Sequence, residues 1–149
     1  MKLHALVEAE SKSVLTYSLT DPNVADTVEF PKLVYGVQSR ILEIYADAGY
    51  LSAKNCWAAA NVGATPYIRP KRTNRRPAKP LNPFQKMLTA YLDDPKSWLA
   101  KYHLRSGVES TFAAIKRRLG DGLAATTRLR LRIEATLHLL AWNLTRVRY

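Results

Sequence analysis

A single cysteine, Cys56, stands among 149 residues, so no internal disulfide can form. His4, His103 and His138 lie far apart with no metal-ligand spacing to it, and a zinc site is not expected. Long apolar runs are missing as well. The opening MKLHALVEAE is interrupted by His4 and Glu8 and reads as neither signal peptide nor anchor. LHLLAW, near the other end, is far shorter than the roughly 20 apolar residues a bilayer span needs. No internal repeat occurs. Acids are scarce: twelve Asp and Glu face 23 Lys and Arg, a formal charge of +11. That balance favours a polyanionic partner, nucleic acid before acidic membrane, and a cytosolic setting on DNA or RNA. What is present is one ordinary domain's length and 47% hydrophobic residues, enough to close a core.

Along the chain, LHALVEAESKSVLTYSLT alternates on both sides of the polar ESKS and predicts a β-hairpin. Asp26, with Glu29 three residues on, looks like an N-cap and capping box for a helix running to about Arg40, weakened by Gly36. ILEIYAD reads as a short buried strand that delivers Asp47 at its carboxyl end. Ser52 caps an Ala-rich helix closed by Gly63, and TPYIRP returns as a strand, which together imply a parallel crossover unit. KRTNRRPAKPLNP mixes bases with prolines, and begins a basic loop or insertion over about 71–95 that is weakly helical from Phe84 and broken around DDP. Its bases Lys71, Arg72, Arg75 and Arg76 belong either to a solvated linker or to a DNA-contacting arm. A last basic helix is expected over about 126–149. Its bases Arg128, Arg130 and Arg132 are spaced by two, so they spread around the helix and suit phosphate contacts rather than one groove-reading face.

The stretch YHLRSGVESTFAAIK carries Tyr102, Arg105, Glu109 and Lys116. At about 100° per residue these fall at roughly 0°, 300°, 340° and 320° around a helix, one narrow stripe. Leu104, Val108, Phe112, Ile115 and Leu119 fall at roughly 200° to 280° and form an apolar face beside it. Glu109 would then stand where core meets solvent, as a metal ligand between phosphate-holding bases. An exposed helix face with an Arg105–Glu109 pair worth a few tenths of a kcal/mol is the alternative. Asp47 likewise has a plain alternative use, as a turn-forming residue before Ala48 and Gly49.

The spacing Y-x2-R-x3-E-x6-K, met by Tyr102, Arg105, Glu109 and Lys116, resembles the signature of insertion-sequence DDE transposases with an RNase H-like fold. KLHALVEAES, LTDPNVAD and YADAGYLSAKN resemble that family's hairpin, following loop and second-aspartate strand, and WLAKYHLRSGVESTF resembles the run into its glutamate. The likeness covers nearly all of the chain, least clearly over about 71–92.

The resemblance implies an α/β fold, a mixed RNase H-like sheet flanked by helices, and metal-dependent cleavage and strand transfer at the ends of a DNA transposon. Asp47 matches the second catalytic aspartate and Glu109 the glutamate, both metal ligands. Tyr102, Arg105 and Lys116 match positions that contact the transposon end. Two divalent cations, Mg²⁺ or Mn²⁺, and a dimeric complex on double-stranded DNA are implied. The family's first catalytic aspartate lies on a central strand that precedes the hairpin. This chain starts inside the hairpin, so it is expected to be poorly stable alone, or closed by repacking, self-association or an upstream polypeptide that donates the strand, and Asp21 and Asp26 do not replace its acid. Weak metal binding and slow or absent cutting are expected of the chain alone. A noncatalytic DNA-binding remnant and a basic RNA-binding protein are the competing readings.

Overall fold

The computed structural model describes residues 1–71, 74–120 and 122–147. Strands β1 (Lys2–Val7) and β2 (Val14–Thr20) form the expected antiparallel hairpin, paired from Lys2↔Thr20 to Val7↔Val14 with a register slip between Leu6 and Val7. Its turn places Lys12 at φ 63°, and the Glu8 carboxylate accepts hydrogen bonds from the Glu10 and Ser11 amides.

Helix α1 spans Asp26–Tyr35, shorter than the expected run to Arg40, and ends at Gly36, where an added Cβ would come within 3.1 Å of the Thr16 side chain. Asp26 is the first helical residue rather than the cap: Ala25 holds that position, and Asp26 pairs with Lys2 instead. Glu29 does not reach back to close a capping box. It is buried and accepts hydrogen bonds from Lys32 and Ser18, both at 2.6 Å, which hold its carboxyl below the usual range.

The crossover unit is as the sequence implies. Strand β3 (Glu43–Ala46), helix α2 (Ala53–Asn61) and strand β4 (Thr65–Ile68) follow, with Ser52 accepting from the Asn55 amide at 3.0 Å and Gly63 at φ 79° closing the helix. The strands pair in parallel from Glu43↔Thr65 to Ala46↔Ile68. The Thr65 amide donates to Leu42 on the β3 side, so Pro66 and Ile68 face the outer edge. Pro66 has no N–H, and the Ile68 N–H donates to Met87 Sδ at 3.4 Å. No free donor is left on that edge.

After an irregular stretch, the Asn82–Gln85 capping box starts helix α3 (Pro83–Asp93), which puts Met87 and Leu88 into the core. The helical part of the 71–95 segment is therefore packed structure. Asp94 breaks the chain and caps helix α4 (Pro95–Tyr102), and a 3-10 turn, His103–Arg105, leads into helix α5 (Ser106–Leu119). Helix α6 (Arg128–Leu144) crosses the hairpin, where the Asn143 side chain both donates to the Val14 carbonyl and accepts from its amide, each at 2.8 Å.

The architecture is α/β and consistent with the RNase H-like expectation. The strands lie in two separate two-stranded sheets, β1–β2 and β3–β4, as expected of that sheet without its central strand. Among the described residues no backbone hydrogen bond joins β1 to β3. Instead both strands line cavities of about 370 and 200 Å³, closed on the far side by the start of α5. No helix among the described residues is long and apolar enough to cross a membrane.

Candidate active site

Asp47 is the first residue beyond β3. It opens a 3-10 turn, Ala48–Tyr50, in extended backbone conformation; its carbonyl accepts from the Tyr50 amide at 2.9 Å, while its side chain makes no capping bond and is left for other partners. Its carboxylate projects to the carboxyl rim of the parallel pair, where it accepts a hydrogen bond from Arg105 Nη1 at 3.2 Å. The same nitrogen donates to Glu109 Oε1 at 2.9 Å. One guanidinium nitrogen therefore touches both predicted acids, which come from different elements of the fold.

Arg105 is held from behind. Its side chain is 23% exposed, against 59% for Asp47 and 66% for Glu109, and its guanidinium lies over the Tyr102 ring at 5.7 Å. Burial pulls the Arg105 pKa down, yet the Glu109 hydrogen bond and the Asp47 charge outweigh it, and the net displacement is upward. Glu109 is solvent-facing more than the wheel implies.

Tyr102 does not share the solvent-facing stripe. It is 4% exposed and stacks on Trp98 with ring centroids 5.4 Å apart, and burial is the main cause of its raised pKa. Leu104, placed by the wheel on the apolar face, is 55% exposed. The cause of both differences is the 3-10 turn at His103–Arg105, which winds about 120° per residue and rotates the α4 end relative to α5. A single helical wheel cannot anticipate that change of winding.

The remaining predicted bases are spread out. Lys116 is exposed on α5, two turns beyond Glu109. Lys71 and Arg75 are exposed in the loop, Arg76 pairs with Asp93 of α3, and Arg72 lies outside the described residues. Arg69 was not singled out by sequence reasoning. It follows β4 directly, and because Ala46 pairs with Ile68, it stands beside Asp47 at the same rim, where its charge acts on Tyr102. Only the parallel register reveals it. Tyr50 is a second neighbour of the rim: its hydroxyl meets His4 Nδ1 at 3.1 Å, and burial, followed by the charges of Asp26 and Asp47, pushes its pKa up to about 12.

Among the described residues no group of three or more His, Cys, Asp and Glu could hold a metal ion. Two exposed carboxylates gathered at one cationic nitrogen do fit a single hydrated hard cation of the Mg²⁺ type, which keeps several waters and needs one or two protein carboxylates. They do not fit a closed two-ion cage.

A family model described as the transposase DDE domain matches residues 1–144. No curated protein and no solved structure matches the chain.

Proposed function

We propose, from the premise that this chain belongs to the transposase DDE domain family, that Asp47 and Glu109 form the acid pair of a site that cleaves and joins DNA phosphodiesters at transposon ends. Enzymes of this family use divalent metals. Mg²⁺ or Mn²⁺ between these carboxylates would supply activation of water or a 3′-hydroxyl and stabilisation of the leaving oxygen. The observation that carries the reading is the convergence of both acids on Arg105 Nη1, at 3.2 and 2.9 Å.

The chain's own residues then divide the work. Arg105 keeps the two acids together in the free protein. On DNA it releases them and donates to a non-bridging phosphate oxygen, a partner of the same charge and better bidentate geometry. The buried Tyr102 ring supports the guanidinium in both positions. Arg69 and Lys116 hold the backbone on either side of the scissile phosphate, and the exposed Lys71 and Arg75, with Arg72, extend that electrostatic track along the loop. The protein would work in the cytoplasm, on the nucleoid.

A third acid is needed for a second ion, and the free edges of β1 and β3 offer the place for the element that brings it. An extended segment of an upstream polypeptide, ending in Asp near Asp47, would pair with both edges and join the two sheets. The second reading, a noncatalytic DNA-binding relative, is favoured by the absence of a three-acid cluster among the described residues.

Titration of the purified chain with Mn²⁺, followed by electron paramagnetic resonance, separates the readings. A site abolished by either Asp47→Asn or Glu109→Gln, with affinity for duplex DNA unchanged or raised, is the expected result. Arg105→Ala should strengthen Mn²⁺ binding while weakening DNA binding, because one competitor of the cation is removed. Mn²⁺ binding that survives the double acid variant, or none in any form including Arg105→Ala, overturns the acid-pair assignment.

A further inference from the structure

The turn that carries Asp47 faces solvent. Asp47, Ala48 and Gly49 are all exposed, and the Asp47 side chain makes no capping bond of its own. A carboxylate on such a turn keeps one direction only if a neighbouring residue is fixed. Tyr50 is that residue. Its amide closes the turn by donating to the Asp47 carbonyl at 2.9 Å, and it is half-buried, with its ring 6.0 Å from that of Phe30 between centroids.

Three elements hold this turn from different sides. From α2, the fully buried Asn55 donates through Nδ2 to the Tyr50 carbonyl at 2.8 Å. Asn55 Oδ1 is buried as well and has no partner among the described residues, a cost that an apolar residue of similar size would avoid. Holding the Tyr50 carbonyl is what the amide contributes there. From β1, the buried His4 meets the Tyr50 hydroxyl at 3.1 Å, and its other ring nitrogen meets the Thr20 hydroxyl at 3.0 Å. Both hydroxyls can donate or accept, so the ring is satisfied in either tautomer. From α1, the Asp26 carboxylate, paired with Lys2, lies so close to Gly49 that an added Cβ would come within 2.8 Å of Oδ2. The Asp47 side chain points away from all three, to Arg105.

We propose that Tyr50 is a positioning residue for Asp47, pinned at its carbonyl by Asn55 and at its hydroxyl by His4, so that the turn aims the carboxylate at Arg105 and Glu109. The hydroxyl is the decisive group, because it ties the turn to the hairpin, against which α5 packs. Glu109 stands on α5, so the spacing of the two acids depends on a hydrogen bond that neither carboxylate makes. The consequence for metal binding rests on the acid-pair reading; the aim of Asp47 at Arg105 does not.

Tyr50→Phe removes the hydroxyl and keeps the ring. In the metal-free chain the side-chain nitrogen resonances of Arg105 report its bond to Asp47, and Tyr50→Phe should move them toward those of Asp47→Asn. With Mn²⁺, followed by electron paramagnetic resonance, the dissociation constant should rise about fivefold, the effect of one net hydrogen bond. His4 gives a second approach to the same bond. His4→Gln, whose amide can still meet the hydroxyl, should keep most of the affinity, whereas His4→Leu should lose as much as Tyr50→Phe. Combining Tyr50→Phe with His4→Leu should lose no more than either alone. A merely structural role would lower the urea midpoint and leave the Arg105 resonances and the metal affinity of the folded chain in place. That result, or additive losses in the double variant, overturns the proposal. A parent chain that binds no Mn²⁺ defeats the acid-pair reading instead, and the Arg105 resonances then decide the positioning role alone.

Discussion

The half of the molecule built on β3, β4 and α1 to α4 buries twelve of the described residues in one cluster, while the hairpin with α5 and α6 buries four. The larger half closes by hydrophobic packing, from Phe30 and Val34 through Ile68 to the stacked Trp98 and Tyr102. The smaller half replaces missing apolar contacts with directed bonds. Asn143 satisfies both backbone groups of Val14, and the Trp142 indole donates to the Lys12 carbonyl at 2.8 Å. The acid pair is divided between them: Asp47 belongs to the first half, Glu109 to the second, and Arg105 joins the two. The difference teaches that the site is set by the docking of two unequal bodies, and only the larger has a core that is closed by packing alone.

The comparison can be broken by mutation. Trp98→Ala empties the centre of the larger cluster and should destabilise the chain by about 3–5 kcal/mol, read as a fall in the urea midpoint. Asn143→Ala should cost less, about 2 kcal/mol, since it leaves one amide and one carbonyl of Val14 without partners. Hydrogen exchange should rise in β1 and β2 for this variant while β3 and β4 keep their protection. Equal loss in both sheets would mean that the halves unfold as one unit.

The smallest effect is expected from His4, which connects the halves. It is buried between the Tyr50 hydroxyl at 3.1 Å and the Thr20 hydroxyl at 3.0 Å, and burial lowers its pKa from 6.5. The folded chain thus refuses a proton that the unfolded chain accepts. Stability is fully present above pH 6.5 and declines as pH falls below it toward the lowered folded pKa. The lowered carboxyls of Glu29 and Glu43 act in a separate window, below 4.5. His4→Gln should flatten the stability profile only in the upper window, a result that chemical denaturation at several pH values would check.

Much of this was legible in the sequence because local chemistry announced it. Alternation around ESKS gave the hairpin, and Ser52 and Gly63 bounded α2 as caps do. The meeting of Asp47 with Glu109 at Arg105 was expected only from the family resemblance, since the spacing of Tyr102, Arg105, Glu109 and Lys116 does not include Asp47. What was not legible depends on tertiary context. Asp26 has the chemistry of a cap, yet Lys2 draws it into an ion pair. Tyr102 has the right offset for the stripe, but a 3-10 turn and the Trp98 ring take it into the core. Arg69 carries no local mark at all and comes to the rim through pairing between strands separated by α2.

The proline and the sulfur-bound amide on the outer side of β4 have one more consequence. They act as a stop, so the parallel pair can be extended in a single direction only, toward Asp47. Any peptide that lengthens this sheet, native or adventitious, must arrive beside the acids and alter their access to solvent. Growth of the sheet and access to Asp47 and Glu109 therefore pass through the same opening.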